Sequence, residues 1–483
     1  MNYKMVLKSL GSVLCIEAAC MLPSLLVSVI YGQDDRVAFI SSILLTLSAG
    51  LLLRLIRPAS AEIYARDGFA IVALGWVLIS AFGSLPFLFS GSISSPVDAL
   101  FETVSGFTTT GSSILTDVES QPRGILFWRS FTHWIGGMGV LVFTLAVLPK
   151  IKASTLHIMK AESPGPNPGK LVPKIGGTAK ILYGIYLVMT SALIVLLLLA
   201  GMPLFDSFIH AFGTAGTGGF SSKALSVGAY NSVYIEVIIT VFMFLFGVNF
   251  SLYYQVLKVS IKSLFKDAEF RFYLATVLVA TVLVTIDLTG SVFGSVWESL
   301  RHSSFQVSTI ITTTGFATTD TNLWPMFSKC VLLMLMFIGG NAGSTAGGIK
   351  CIRIVLLTKV IKREIARIIH PRSVRTVKIN GAAVDEEILS GVTAFFFIYI
   401  LIFASAVLAV SLDGLDFEST FSAVATTLNN VGPGFGVFGP MGNFSGLSDL
   451  STVVLTFCML VGRLEVYPVL LLFAPTFWKR VNI

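Results

Sequence analysis

Hydrophobic positions along this chain come in long unbroken runs, not in the stripe of a soluble helix or the alternation of a half-buried strand. Ten runs fall near residues 6–31, 37–55, 69–91, 125–149, 179–201, 232–257, 272–293, 329–361, 388–411 and 450–475. A membrane-crossing helix needs about 20 apolar residues. The pattern therefore predicts an all-α integral membrane protein with ten crossings and both termini on one side. The first run, Val6 to Tyr31, is too long for a signal-peptide core and no fitting small-residue cleavage site follows it, so it reads as a retained helix.

The connectors sort by charge. One set holds Lys4, Lys8, Arg54, Arg57 and Arg66, then the lysines from Lys150 to Lys180. It continues with Lys258 to Arg271, the basic run from Lys350 to Lys378, and Lys479 with Arg480. The other set is acid-rich, with Asp34, Asp35, Asp98, Glu102, Asp206, Glu298 and Asp416 among its members. By the positive-inside rule the first set is cytoplasmic, and so are both termini.

Composition agrees: 54% of the 483 residues are hydrophobic and 12% charged, with a mean hydropathy of +0.84. The net charge of +7 is explained by topology and needs no nucleic acid. The five cysteines are odd in number and lack metal-ligand spacing, so they imply neither disulfides nor a metal centre.

Four acid-side connectors, near 92–124, 202–231, 294–328 and 412–449, are too long and too apolar for simple loops. Each opens on an acid, runs on as an apolar stretch too short to span, and breaks at glycine. Such stretches read as re-entrant helices. The breaks are SGFTTTGSS (105–113), TAGTGGFSS (214–222), TIITTTGFATT (309–319) and NNVGPGFGVFG (429–439). Aligned on glycine they centre on Gly111, Gly219, Gly315 and Gly434, the last three followed by Phe220, Phe316 and Phe435.

An acid at each start suits a helix N-terminus, and the negative end of each short helix then points into the membrane. Glycine permits dihedrals that turn carbonyls toward an axis, and a carbonyl ring can replace the hydration shell of potassium. The candidate filter is Thr109, Thr110, Gly111, Gly218, Gly219, Thr313, Thr314, Gly315, Val431, Gly432 and Gly434. Glycine and threonine also break helices between ordinary spans; four breaks in phase argue against that.

Within the eighth run lie Gly339, Gly340, Asn341, Ala342, Gly343, Ser344, Thr345, Ala346, Gly347 and Gly348. So many small and polar residues do not make a lipid-facing helix. The stretch reads as an unwound loop on the inner side of a pore, against the alternative of a small-residue packing interface. Arg463 lies inside the tenth run and is expected to face the inner vestibule or the loop, or else an acid partner. For Glu17, Arg129, His133 and Glu236 structural pairing is expected. Selectivity is thus assigned to all four units and gating to the last two, since only the third shows a long break and only the fourth a buried arginine.

GFGVFG (434–439) follows no strand, and GSTAGGIK (343–350) lacks the GK[ST] ending of a phosphate-binding loop. No catalytic constellation stands out, so no enzyme activity is expected.

These strips, with GGNAGSTAGGIK, GRLEV, RDGF (66–69), DAEFR (267–271) and APTFW (474–478), closely resemble the TrkH branch of the Trk/Ktr/HKT potassium transporters over essentially the whole chain. The resemblance implies two leading helices (1–66) and four M1–pore-loop–M2 repeats (67–160, 161–265, 266–375, 376–483) around a pseudo-fourfold pore. It implies filter roles for the four glycines and a gate made by Gly339–Gly348 with Arg463. It further implies a bacterial inner-membrane location, a homodimer, and a cytosolic nucleotide-binding (TrkA-like) regulatory subunit docking on Lys350–Lys378 or the 150–180 connector. No cofactor is implied beyond potassium in the pore. Asn341 and Ala346 stand where relatives often carry Cys and Gly, and His133 where they often carry Gln. A symporter using Glu17, Glu236 and Glu465 is the main rival, and a nucleotide enzyme a remote one.

Overall fold

A computed structural model describes residues 1–58, 63–139, 175–258, 260–373 and 375–478. Two leading units come first: Tyr3–Cys20 with its continuation Leu22–Ile30, and Arg36–Arg54. They cross closely at Gly11 and Gly50, where a methyl on Gly50 would lie 2.9 Å from the Gly11 carbonyl. Small residues at such crossings let two membrane helices pack backbone to backbone.

Four repeats follow, each with a first helix, a short helix and a closing helix. The first helices are Ala65–Gly83, Ile175–Leu199, Ala268–Leu288 and Glu386–Val410. These four and the two leading units are the six spans that are long and apolar enough to cross a membrane among the described residues. Their outward faces carry exposed Leu52, Leu199, Ile286 and Leu408, as expected where the surroundings are lipid.

The short helices are Pro96–Phe107, Leu204–Gly216, Val296–Ile311 and Phe417–Leu428. At 1.5 Å per residue even the 16-residue third one falls short of a bilayer core of about 30 Å. Each has an acid in its first turn: Asp98, Asp206, Glu298 and Glu418. The sequence expectation of acid-started re-entrant helices thus appears in all four copies.

Three of the four closing helices are interrupted within the described residues. The first is described over Arg123–Gly137. The second turns by 89° between Val233–Phe246 and Phe250–Lys258. The third stops at Ile338 and resumes at Cys351; the fourth stops at Arg463 and resumes at Tyr467. The long break is confined to the third among these, as expected, and the second and fourth carry short ones that the sequence reading does not name. Gly247 explains the second, because a side chain there would lie 2.5 Å from the Tyr273 hydroxyl. In the fourth, Glu465 and Val466 take left-handed backbone, which ends a helix.

Both ends of the chain meet on one face. The Tyr3 hydroxyl donates to the Trp478 carbonyl at 2.6 Å, and Arg66 donates to the Phe477 carbonyl at 2.7 Å. A small hairpin, Lys378–Ile379 with Ala382–Ala383, precedes the first helix of the fourth repeat. The 150–180 connector, apart from its last few residues, and Lys479 with Arg480 lie outside the described residues.

Candidate functional site

The short helices end in one backbone device repeated four times. The residue after each helix turn is left-handed: Thr109, Thr217, Thr313 and Asn430, with φ between 55° and 56°. The next N–H returns to the helix, from Thr110 to Ser105 (2.9 Å), Gly218 to Gly213 (2.8 Å), Thr314 to Thr309 (2.7 Å) and Val431 to Thr426 (2.8 Å). Such bonds satisfy carbonyls that a helix end leaves free. A positive-φ glycine follows in each copy: Gly111, Gly219, Gly315 and Gly432.

The fourth strip is therefore phased on Gly432, not on Gly434 as the alignment expected. Glycine–phenylalanine at 434–435 mimics the pairs at 219–220 and 315–316, but the chain has two more residues before it. Gly434 does not have a positive φ, and a methyl there would meet only the Ser422 side chain at 2.9 Å.

The four glycines close a ring. A side chain on Gly111 would strike the Gly218 carbonyl, one on Gly219 that of Thr314, one on Gly315 that of Val431, and one on Gly432 that of Thr110. Each glycine thus abuts the carbonyl that precedes the glycine of the next repeat, in the order one, two, three, four, one. All four line an open cavity of about 140 Å³, with Ser112 and Pro433 beside them. The four short helices end at this ring, and the negative end of a helix dipole favours a cation over an anion.

Side chains lock the strips unequally. Thr108 and Thr110 share a 2.8 Å hydroxyl contact, and Thr312 with Thr314 repeats it at the same distance. In the second strip Gly218 has no side chain because the His133 ring fills that space; a methyl on Gly218 would overlap the ring. Asn430 reaches from the fourth strip to the Thr110 hydroxyl at 2.9 Å.

Behind the first two strips, Glu102 and Arg129 form a buried ion pair at 2.5 Å. Glu102 also accepts from the Ile114 N–H at 2.9 Å. The Arg129 guanidinium stacks 3.5 Å over Phe220 and donates to the Ser221 carbonyl at 3.3 Å. The pair holds the chain just beyond both glycines. The sequence reading counts Glu102 only as one of the connector acids and not as the partner of Arg129, although a second acid one turn after Asp98 in an apolar helix is a visible signal.

Beneath the strips lies the interrupted third closing helix. Gly347 donates to the Thr313 hydroxyl at 2.6 Å, and Gly348 to the Asn429 carbonyl at 3.0 Å. Gly339 and Gly348 pack backbone on backbone, with 2.6 Å left for any methyl on Gly348. Unwinding and close packing, posed as alternatives by the sequence, are here one arrangement. Asn341, Thr345 and Ala346 are fully buried within it.

Arg463 donates to the Thr345 carbonyl of the loop (2.8 Å) and to the Gly136 (2.5 Å) and Gly137 (2.8 Å) carbonyls of the first closing helix. It is not the sole inward arginine: Arg129 and Arg353 are more deeply buried, which corrects the reading that only the fourth repeat holds one. Lys350 donates to the Ala346 carbonyl, and Arg353 pairs with Glu465.

Of the expected structural pairs, Arg129–Glu102 and Glu236–Arg301 (2.5 Å) form. Glu17 and His133 do not. Both carboxylate oxygens of Glu17 and both ring nitrogens of His133 are buried without hydrogen-bond partners among the described residues.

A family profile described as TrkH, cation transport protein, matches residues 35–480. The chain is 39% identical to the Trk system potassium uptake protein TrkH of Salmonella typhimurium, over 99% of this chain and 100% of that protein. It is 35% identical to the Trk system potassium uptake protein TrkG of Escherichia coli K12, over 99% of each. The crystal structure of the potassium transporter TrkH from Vibrio parahaemolyticus superposes with a TM-score of 0.89 at 37% identity, covering 99% of this chain and 100% of that one.

Proposed function

This chain belongs to the TrkH family of cation transport proteins, and from that premise we propose that it takes up potassium through a selective, channel-like pore. The family is one of transporters, not of enzymes. The observation that carries the reading is the closed ring in which Gly111, Gly219, Gly315 and Gly432 each abut a carbonyl of the next repeat.

In this reading Thr109, Thr110, Gly218, Thr313, Thr314 and Val431 complete the filter, and their carbonyls take the place of water around the ion. Gly434 shapes the segment beyond it. The repeats divide at 67–160, 161–265, 266–375 and 376–483, after leading helices in 1–66. Residues 339–348 form the gate with Arg463; the loop's bonds to Thr313 and to Asn429 support a position under the filter.

The face that carries both chain ends is the cytoplasmic one of a bacterial inner membrane, supported by its basic connectors. A cytosolic nucleotide-binding subunit acts on a homodimer through the basic Lys350–Lys378 segment; the relatives' designation as parts of a Trk system supports a partner.

A symporter would need ionisable groups beside the route. Of the three acids named for it, Glu236 and Glu465 are occupied in pairs with Arg301 and Arg353, which favours the channel-like reading. Glu17, in the leading helix, is buried outside such a pair among the described residues. Potassium and sodium fluxes into liposomes holding the purified chain test it, with and without the cytosolic subunit. The expected result is potassium flux well above sodium flux and insensitive to a proton uncoupler. Equal fluxes, or uptake abolished by the uncoupler, would overturn it.

A further inference from the structure

A break in a membrane helix leaves backbone N–H groups that must be satisfied within the protein. Most of those in the third closing helix find carbonyls or hydroxyls close by. Asn341 donates to the Gly247 carbonyl at 3.0 Å and Cys351 to that of Gly340 at 3.0 Å. Two donors are different, because they share one carboxylate. Glu269 Oε1 accepts from the Ala342 N–H at 2.6 Å and from the Ile352 N–H at 3.1 Å.

Ala342 lies inside the loop, and Ile352 lies in the first turn of the helix that follows it. Glu269 belongs to neither, since it sits at the start of the first helix of the third repeat and is buried there. One carboxyl oxygen therefore fixes the two sides of the loop relative to each other. Carboxylates bond strongly to N–H groups, and more so at the positive start of a helix.

The segment that carries Glu269 is held from outside. Asp267 caps the helix by accepting from the Phe270 N–H at 2.8 Å. Asn380, at the tip of the exposed hairpin, donates to Asp267 at 2.7 Å and accepts from the Ala268 N–H at 2.9 Å. The hairpin is tied in turn to the helix after the loop, since Lys359 donates to the Lys378 carbonyl at 2.6 Å. Hairpin, helix start and loop form one continuous chain of bonds.

We propose that Glu269 is the positioning residue that latches the loop in its obstructing shape, and that Asn380 sets where Glu269 stands. This rests on the reading of residues 339–348 as the gate. Motion of an exposed hairpin would then reach the loop through two side chains, without any contact at the filter.

Single-channel recording of the purified full chain in a lipid bilayer tests the latch. Glu269→Ala is expected to raise open probability about fivefold, as loss of roughly one net hydrogen bond would. Unit conductance and the potassium-to-sodium permeability ratio should stay unchanged, which a merely structural lesion would not guarantee. Glu269→Gln, which keeps an acceptor oxygen, should fall between. Asn380→Ala, on an exposed residue, should raise open probability by about twofold and keeps the test alive if Glu269→Ala does not fold. Arg463→Ala is the control for the gate itself. If Arg463→Ala opens the pore while the Glu269 and Asn380 variants do not, the latch is wrong and the gate reading stands. If none of them changes open probability, the gate reading fails and the latch with it. A change in permeability ratio without a change in open probability would also overturn the latch.

Discussion

The strips that follow the short helices and the breaks in the closing helices stand under opposite constraints. The four strips share a left-handed residue, a return bond and a positive-φ glycine. In the closing helices the three interruptions among the described residues differ: one helix bends by 89°, one unwinds over the Gly339–Gly348 loop, and one kinks after Arg463. A ring that replaces a hydration shell needs contributions of equal geometry from every side. An obstruction needs only one repeat to cross the axis and another to hold it. Symmetry is kept where the ion would be bound and lost where passage would be controlled.

The sharpest way to break this contrast is through the glycines. Gly432→Ala should be as damaging as Gly315→Ala, with potassium flux reduced more than about tenfold, since each adds a backbone clash to the strain of positive φ. Gly434→Ala meets only the Ser422 side chain and should cost far less. Equal damage at 432 and 434 would dissolve the phasing argued above.

Next comes the second strip, the least regular of the four. Gly218→Ala should impair flux nearly as much, because the His133 ring occupies that space. His133→Ala alone should lower the potassium-to-sodium ratio by a few-fold. The double variant should recover part of the Gly218→Ala loss, a coupling of at least about 0.5 kcal/mol for residues in contact. Additive losses in a flux assay would show that the two do not share the space functionally.

On the inner side, Arg463→Ala removes the bridge between Thr345 and the first closing helix. Open probability should rise several-fold while the permeability ratio holds. A shifted ratio would mean the two regions are not separable.

The smallest effect is expected at the fourth short helix, whose cap is Asp416. Hydrogen bonds from Ser419 hold its carboxyl below the ordinary aspartate value. A lowered folded pKa means the contribution is present above the unfolded value of about 3.9 and is lost as pH falls through the folded one. Asp416→Ala should cost about 1 kcal/mol at neutral pH, measured by thermal unfolding in detergent, and nothing once the wild-type carboxyl is protonated.

Much of this was legible in one dimension. Apolar runs, basic connectors, four glycine strips and the Gly339–Gly348 stretch are local in the chain, and their physics is local too: hydropathy, topology and backbone freedom. The register of the fourth strip was not, because Gly432 and Gly434 are alike in sequence and differ only in which neighbour's carbonyl they face. Nor were the partners of buried charge. Nothing adjacent to Arg129 points to Glu102, and nothing near the loop points to Glu269, a residue in another helix. The sequence alone determined that this is a membrane protein of four unequal copies around glycine breaks. Tertiary structure alone decided which glycine closes the ring, which carboxylate holds the loop and which histidine replaces a side chain at Gly218. Those choices depend on distances between residues far apart in the chain, which no local pattern encodes.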